Sequence, residues 1–178
     1  MSGPATAVVR RARPDEEALA EEAAALIASA AEEHDLARRA PAWLAAKIRS
    51  GRAVLALAGG ELVGFGLWSE WEGGLWISHS ALVVRPDWRG RGLGRRLKEL
   101  LLASSRAAYP RAHILSLTTS PAVRALNLAL GFRDASLDAL TRDPAFWAGC
   151  ETCRNATAAR AAGRRCCCGG MVLDPLPP

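Results

Sequence analysis

The sequence lacks cysteine before position 150, has Lys47 and Lys98 as its only lysines, and contains no apolar stretch long enough to cross a membrane. The missing cysteines exclude a disulfide framework for most of the chain. The N-terminus also lacks the apolar core of a signal peptide. We therefore expect a cytoplasmic protein without a membrane partner.

Positive charge is concentrated in one segment. The chain has 23 basic and 18 acidic residues, a net charge of +5, yet segment 85–111 alone carries eight basic residues against two acidic ones. This segment has no helix-turn-helix, zinc-finger or RNA-binding signature, so we expect no nucleic-acid partner. Because it also contains a cluster of glycines, its charge favours a small anionic ligand over a merely solvated helix face.

The chain length predicts one domain with a small appendage, because a chain of 178 residues buries about 70% of the surface that its unfolded form exposes. Apolar spacing and turn residues predict a strand, two helices, three antiparallel strands, a helix, a strand, a helix and a further strand. The predicted strands are 5–11, 54–57, 62–68, 75–84 and 112–117, and the predicted helices begin at Pro14, at Pro41, after the glycine cluster and at Pro121.

A glycine-rich turn follows the apolar strand 75–84. Residues 85–94 read RPDWRGRGLG and place several peptide N–H groups between a strand end and a helix start. Such a turn binds anions because the amides and the helix dipole point at the ligand, while glycines let phosphate oxygens approach the backbone. No Gly-Lys-Ser/Thr follows, so this is not a Walker loop. Its strand belongs to a hairpin series, which disfavours a dinucleotide fold.

Segment 89–94 resembles the Arg/Gln-x-x-Gly-x-Gly/Ala signature of the GCN5-related N-acetyltransferases (GNAT), and segment 121–132 resembles the final helix of that superfamily with its closing Gly-Phe. The resemblance covers residues 5–140. It implies an α/β (α+β) fold with a mixed central sheet and flanking helices. The chain then divides into a GNAT domain, residues 1–140, and a cysteine-rich extension, residues 141–178, similar to that of one bacterial subgroup.

The resemblance also implies that acetyl-CoA is the cosubstrate. In the family, the strand before the glycine turn pairs with the pantetheine arm, so Leu82, Val83 and Val84 would line that arm and offer an amide N–H to the thioester oxygen. The turn would hold the phosphates through Arg89, Gly90, Arg91, Gly92, Leu93, Gly94 and Arg95.

Acyl transfer to an amine needs a donor for the developing oxyanion and a proton source for the leaving thiolate. Family members often carry a tyrosine as that acid four residues before the Gly-Phe, where this chain has Asn127. An amide cannot donate a proton at neutral pH, so either water or an exposed thiolate suffices, or Asn127 orients the cofactor. Asn127 shares a helical stripe with Val123, Leu126 and Leu130, so we expect it to face inward. We favour a place near the CoA sulfur over a purely structural bond.

The general base has more than one candidate. Ser78 and Ser80 occupy the strand face on which the family often carries a glutamate or histidine, and His79 occupies the other face. His79 has a suitable pKa but points away unless a bulge shifts the register. Glu70 and Glu72, near the preceding turn, either reach the site or are solvated.

All five cysteines lie between residues 150 and 168. Cys150 and Cys153 have the spacing of a metal knuckle, and with Cys166 and Cys168 they offer the four thiolates that suit tetrahedral zinc. Alternation along the last three cysteines predicts that Cys167 points away. The segment has few large apolar residues, so a metal would supply its folding energy. An iron–sulfur cluster and free thiols are the alternatives.

The sequence thus predicts an N-acetyltransferase that moves an acyl group from acetyl-CoA to the primary amine of a small molecule, with an amino acid such as glutamate as a candidate acceptor. Thr118, Thr119 and Arg124 either serve that acceptor or decorate the last helix. The alternative is a noncatalytic CoA-binding or protein-interaction module that uses the cysteine tail. Whether the chain forms a homodimer is left open.

Overall fold

Seven strands form one sheet in the computed structural model, which describes residues 6–177. Residues 1–5 of the predicted first domain and residue 178 of the predicted extension lie outside the described residues. The strands are β1 (Val8–Arg11), β2 (Ala53–Ala58), β3 (Glu61–Trp71), β4 (Trp76–Val84), β5 (His113–Thr118), β6 (Arg133–Ala135) and β7 (Gly169–Leu173). Their order in the sheet is β1-β2-β3-β4-β5-β7-β6.

Six helices accompany the sheet in the described residues: α1 (Ala20–Glu33), α2 (Pro41–Arg49), α3 (Leu93–Ala108), α4 (Pro121–Ala129), α5 (Pro144–Ala148) and α6 (Ala156–Ala161). Ser120 caps α4, because its hydroxyl accepts a hydrogen bond of 3.3 Å from the backbone N–H of Val123. Pro14 begins a 3₁₀ turn that leads into α1, so this helix starts later than the sequence suggests. Within residues 6–177, no helix is both long and apolar enough to span a membrane.

The sheet is mixed, as predicted. All neighbouring strands are antiparallel except β4 and β5, which run parallel. These two strands pair only over Trp76–Ser78 and His113–Leu115. Beyond Ser78 they diverge, and the sheet opens.

Helices cover both faces of the sheet. Leu97 and Leu101 of α3 are buried against one face, and Ile27 of α1 and Ile48 of α2 are buried against the other. Both sets lie at helical spacing in the sequence, so each helix turns one apolar stripe toward the sheet.

The last strand comes from the segment that the sequence assigns to the cysteine-rich extension. β7 lies between β5 and β6 and pairs with both in antiparallel register. Met171 and Val172 of this strand are almost fully buried. A division of the chain at residue 140 therefore separates an interior strand from its own sheet.

Candidate functional site

A cavity of about 690 Å³ occupies the gap between the diverging strands β4 and β5. Its walls come from the end of β4, the start of α3, the end of β5 with the start of α4, and the loop after α1. The β4 wall includes Leu82, Val83 and Val84, and the β5 wall includes Ser116, Thr118 and Thr119. The cavity therefore brings together segments that lie far apart in the sequence.

A bulge interrupts β4 beside the cavity. The register with β3 shifts between Phe65 and Leu67, which pair with Val83 and Ser80. Ala81 within the bulge has φ +54°, a conformation that non-glycine residues seldom adopt. On its other edge, β4 is paired with β5 only up to Ser78. The backbone from 79 to 84 thus faces the gap with hydrogen-bonding groups that the β5 ladder does not use.

The glycine turn forms the entrance to α3. Gly90 and Gly92 both have φ +74°, so their lack of a side chain is required by the backbone itself. Gly94 has no such requirement, and a methyl group built on it would meet only Val84 Cγ2 at 4.0 Å. The first turn of α3 thus has open space beside Gly94, where the helix also has unpaired amide N–H groups.

The arginines of this turn have different surroundings. Arg89 lines the cavity, donates from Nε to the backbone oxygen of Val84 at 3.1 Å and lies 3.7 Å from Glu33. Arg91 stacks over the Trp88 ring, with its guanidinium carbon 4.4 Å from the ring centroid. Arg95 pairs with Glu99. Of the predicted phosphate-binding arginines, only Arg89 belongs to the cavity wall in the described residues.

Two buried titratable side chains line the cavity on the α3 side. His79 Nε2 lies 3.0 Å from the Ser105 hydroxyl, and no described residue lies within hydrogen-bond distance of its Nδ1. Burial, reinforced by the charge of Lys98, holds the pKa of His79 well below its ordinary value. Lys98 is 1% exposed, its Nζ lies 4.7 Å from the Phe132 ring centroid, and burial lowers its pKa to about 7.

Lys98 was missed by the sequence analysis. It stands beside Leu97 and three residues before Leu101, which both pack on the sheet, so its position falls on the buried stripe of α3. That spacing is the one signal in the sequence that could have found it. The sequence predicts that His79 points away unless a bulge shifts the register. The strand β4 carries such a bulge at Ala81, and His79 and Ser80 both line the cavity.

Asn127 faces inward, as predicted, and is fully buried. Its Nδ2 donates to Met171 Sδ at 3.5 Å, and no described residue bonds to its Oδ1. The neighbouring Val123 and Leu126 line the cavity, whereas Asn127 is turned toward β7.

The structure places Glu70 in another cluster. Its carboxylate accepts hydrogen bonds from the Tyr109 hydroxyl and from Arg52 Nη2, the latter at 2.9 Å. These bonds lower the pKa of Glu70. Glu70 lies where β3 pairs with the beginning of β4, and it is not among the residues that line the cavity. Glu72 is likewise engaged elsewhere, since it accepts hydrogen bonds from Thr141 and Arg142.

An ion pair lies in the cavity wall at the loop between α1 and α2. Arg154 Nε donates to Asp35 Oδ1 at 2.8 Å, and both residues line the cavity. Hydrogen bonds from Arg154, Thr119 and Asn155 lower the pKa of Asp35, so its carboxylate is charged at neutral pH. Of the residues that the sequence suggests for an acceptor, Thr118 and Thr119 line the cavity, whereas Arg124 pairs with Asp134.

The cysteines gather into one cluster, which we call the thiol cluster: Cys150, Cys153, Cys166, Cys167 and Cys168. The sulfur atoms of Cys166, Cys167 and Cys168 all lie within 4.8 Å of one another. The thiol of Cys150 faces that of Cys166, the thiol of Cys153 faces that of Cys167, and all five cysteines are free. The expectation that Cys167 points away is wrong, because residues 166–168 form a bend rather than an extended strand.

Comparison with known proteins points to one family. A model described as the acetyltransferase (GNAT) family matches residues 16–132. The L-methionine sulfoximine/L-methionine sulfone acetyltransferase of Pseudomonas paraeruginosa is 37% identical over 78 residues, which are 41% of this chain and 45% of that protein. The match therefore covers less than half of this relative.

Solved structures share the fold. N-acetylglutamate synthase from Neisseria gonorrhoeae, solved with coenzyme A and N-acetyl-glutamate, superposes with a TM-score of 0.70 and 20% identity over 99% of this chain and 37% of that chain. A phosphinothricin acetyltransferase from Sinorhizobium meliloti, solved with acetyl-CoA, has a TM-score of 0.66 and 17% identity over 96% and 89%. At these identities the likeness is one of fold.

Proposed function

Because the chain belongs to the acetyltransferase (GNAT) family, we propose that it transfers the acetyl group of acetyl-CoA to the amino group of a free amino acid. The observation that carries the proposal is a single cavity whose wall contains both the glycine turn of α3 and the ion pair of Asp35 with Arg154. The turn suits an acyl donor that carries phosphates, and the ion pair suits an acceptor that carries one positive and one negative charge.

The part of the cavity that would bind acetyl-CoA uses backbone groups. The edge of β4 that faces the gap would pair with the amides of the pantetheine arm along Leu82, Val83 and Val84, and one of these N–H groups would hold the thioester oxygen as it gains negative charge. The phosphates would lie at the first turn of α3, where Gly94 leaves room for them. Arg89 would add a charged contact, and Arg91 and Arg95 would reach the phosphates only by leaving Trp88 and Glu99.

The part of the cavity that would bind the acceptor uses the ion pair of Asp35 with Arg154. The ammonium group of a free amino acid would bind Asp35, and its carboxylate would bind Arg154, so that the acceptor takes the place of the contact between the two side chains. The names of the relatives support this class, since methionine sulfoximine, glutamate and phosphinothricin are all amino acids. Glutamate therefore remains a candidate within a broader class.

The reaction moves one proton from nitrogen to sulfur. The ammonium bound at Asp35 first loses one proton to solvent, and the neutral amine then attacks the thioester carbonyl carbon. The carbon–sulfur bond breaks with its electron pair on sulfur, and the nitrogen loses a second proton while the thiolate gains one. Lys98 has a pKa of about 7, so both of its protonation states are populated at neutral pH. Lys98 in its neutral form would take the proton from nitrogen and then return it to sulfur.

The other catalytic candidates take smaller roles. His79 stays uncharged because of its burial, and it would hold Ser105 and accept a hydrogen bond through Nδ1. Asn127 would be a positioning residue that fixes α4 to β7 through Met171. Glu70 has no role in this scheme, since its carboxylate is held by Tyr109 and Arg52.

The proposal is tested by a thiol-release assay with acetyl-CoA and succinyl-CoA against glutamate, methionine sulfoximine, phosphinothricin, polyamines and a short peptide. We expect turnover with at least one amino acid. Asp35→Asn should raise the KM for that acceptor by about 10- to 100-fold, because it removes a charge-assisted hydrogen bond. Asp15→Asn, at an exposed carboxylate outside the cavity, is the matched control.

Two results would contradict the proposal in different ways. Turnover with polyamines or peptides alone would overturn the acceptor class while leaving acetyl transfer intact. CoA binding without thiol release across the whole panel would favour the noncatalytic alternative.

A further inference from the structure

The thiol cluster is not used by the proposed reaction. It joins the turn after α5, which carries Cys150 and Cys153, to the bend just before β7. Between residues 142 and 168, the only buried side chains are Ala159, Cys166 and Cys168. A segment of this length with almost no apolar core needs another source of stability.

We propose that the thiol cluster binds one zinc ion through Cys150, Cys166, Cys167 and Cys168. The last three sulfur atoms lie within 4.8 Å of one another, and bonds of about 2.3 Å to one tetrahedral zinc ion would bring them to about 3.8 Å. We assign Cys150 as the fourth ligand because its thiol faces Cys166, which is buried, whereas the thiol of Cys153 faces Cys167, which is only half-buried.

This ligand set differs from the one predicted by spacing alone. The Cys-x-x-Cys pair suggests that Cys153 is a ligand and that Cys167 is not. The bend at residues 166–168 reverses this, since it turns all three sulfur atoms toward one point.

The ion would hold the wall of the acceptor site. The segment that carries Cys150 and Cys153 is bonded at three places to the loop between α1 and α2. Arg39 donates to the Gly149 backbone oxygen, the Thr152 hydroxyl donates to the Arg38 backbone oxygen at 3.0 Å, and Arg154 pairs with Asp35. Zinc would therefore fix Arg154 against Asp35 by tying this segment to the start of β7 in the sheet. This role rests on the proposed function, whereas zinc binding itself does not.

The binding site is tested first by metal content. We expect about one zinc per chain in the full-length protein purified under reducing conditions without chelator. Cobalt substituted for zinc should show the absorption of tetrahedral cobalt together with sulfur-to-cobalt charge transfer. Cys167→Ser should lose the ion, and Cys153→Ser, the matched control, should keep it.

The role of zinc in the wall of the acceptor site is tested by measuring the effect of its removal on the acceptor and on CoA separately. Removal of zinc should raise the KM for the acceptor, leave CoA binding unchanged and speed tryptic cleavage at the exposed Arg160 and Arg164. Unchanged CoA binding also shows that a variant remains folded. A metal-free protein that takes up neither added zinc nor cobalt overturns the site, and loss of metal from Cys153→Ser but not from Cys167→Ser overturns the ligand set. Equal acceptor KM with and without zinc overturns the role in the wall.

Discussion

At the scale of single residues, Lys98 is the most unusual group in the molecule. Lys98 is 1% exposed and lines the cavity, its Nζ lies 4.7 Å from the Phe132 ring centroid, and it forms no ion pair within residues 6–177. Burial of an unpaired charge destabilises a folded protein, and the penalty appears as a lowered lysine pKa. A site that tolerates this cost is a candidate for proton transfer.

The free-energy penalty of burying the charged form of Lys98 predicts how the stability of the protein depends on pH. The folded protein releases the Lys98 proton near pH 7, whereas the unfolded chain keeps it up to about pH 10.5. The unfolded state therefore binds more protons between these values, and the free energy of unfolding should rise with pH across this window. Lys98→Met should be more stable than the wild type at pH 6, by up to about 5 kcal/mol, and the difference should vanish near pH 10.5.

Urea unfolding at pH 6, 8 and 10 measures this difference. Lys47→Met is the comparison, since the pKa of Lys47 is lowered only to about 8 and its effect should be smaller. Equal stability of Lys98→Met and wild type at pH 6 would show that the ammonium is well solvated or paired.

At the scale of elements, the turn into α3 contains one glycine that the backbone conformation requires and another that only a bound ligand would require. Gly92 must be glycine for the chain to make the turn, because its φ is +74°. Gly94 lies in the first turn of the helix at an ordinary φ, with open space beside it. A glycine in a helix costs about 1 kcal/mol relative to alanine, so the fold by itself gives no reason for it.

Gly94→Ala should therefore stabilise the ligand-free protein slightly while it weakens CoA binding by about tenfold or more, about 1.4 kcal/mol. The added methyl group would occupy the space that the phosphates need. Calorimetric titration with CoA measures the change in affinity, and a thermal melt without ligand measures the change in stability. The Gly92→Ala variant should lose both stability and affinity for CoA. If the Gly94→Ala variant binds CoA as tightly as the wild type, the phosphates do not lie beside Gly94.

At the scale of the whole molecule, the end of the chain completes the sheet. β7 lies between two earlier strands, and Asp174, just after it, pairs with Arg133 of β6 at 2.9 Å. Without β7, strand β5 loses its antiparallel neighbour and β6 has no place in the sheet. The fold is therefore complete only when the residues beyond the thiol cluster have been added.

A chain that ends at residue 140 should accordingly show no cooperative unfolding transition, whereas a chain that ends at Asp174 should unfold cooperatively. Circular dichroism during urea titration distinguishes the two. The physical reason is that removal of β7 exposes the buried Met171 and Val172 contacts and leaves β5 as an open edge. A cooperative transition in the 1–140 chain would support the division that the sequence suggests.

The sequence by itself determined the order of the elements from β1 to β6, the glycine turn and the family resemblance. Apolar spacing and turn residues are local signals, and α2 and the meander β2–β3–β4 appear where those signals place them. The turn at Gly92 is equally local, because a positive φ is a property of one residue.

Only the tertiary structure decided which distant residues meet. Asp35 and Arg154 are 119 residues apart, and their pairing depends on where the segment before β7 crosses the loop after α1. The cavity exists because β4 and β5 diverge after Ser78, and a strand's own sequence does not specify the angle to its neighbour. The placement of β7 inside the sheet and the convergence of Cys167 with its neighbours likewise depend on non-local packing, which periodicity and spacing do not encode.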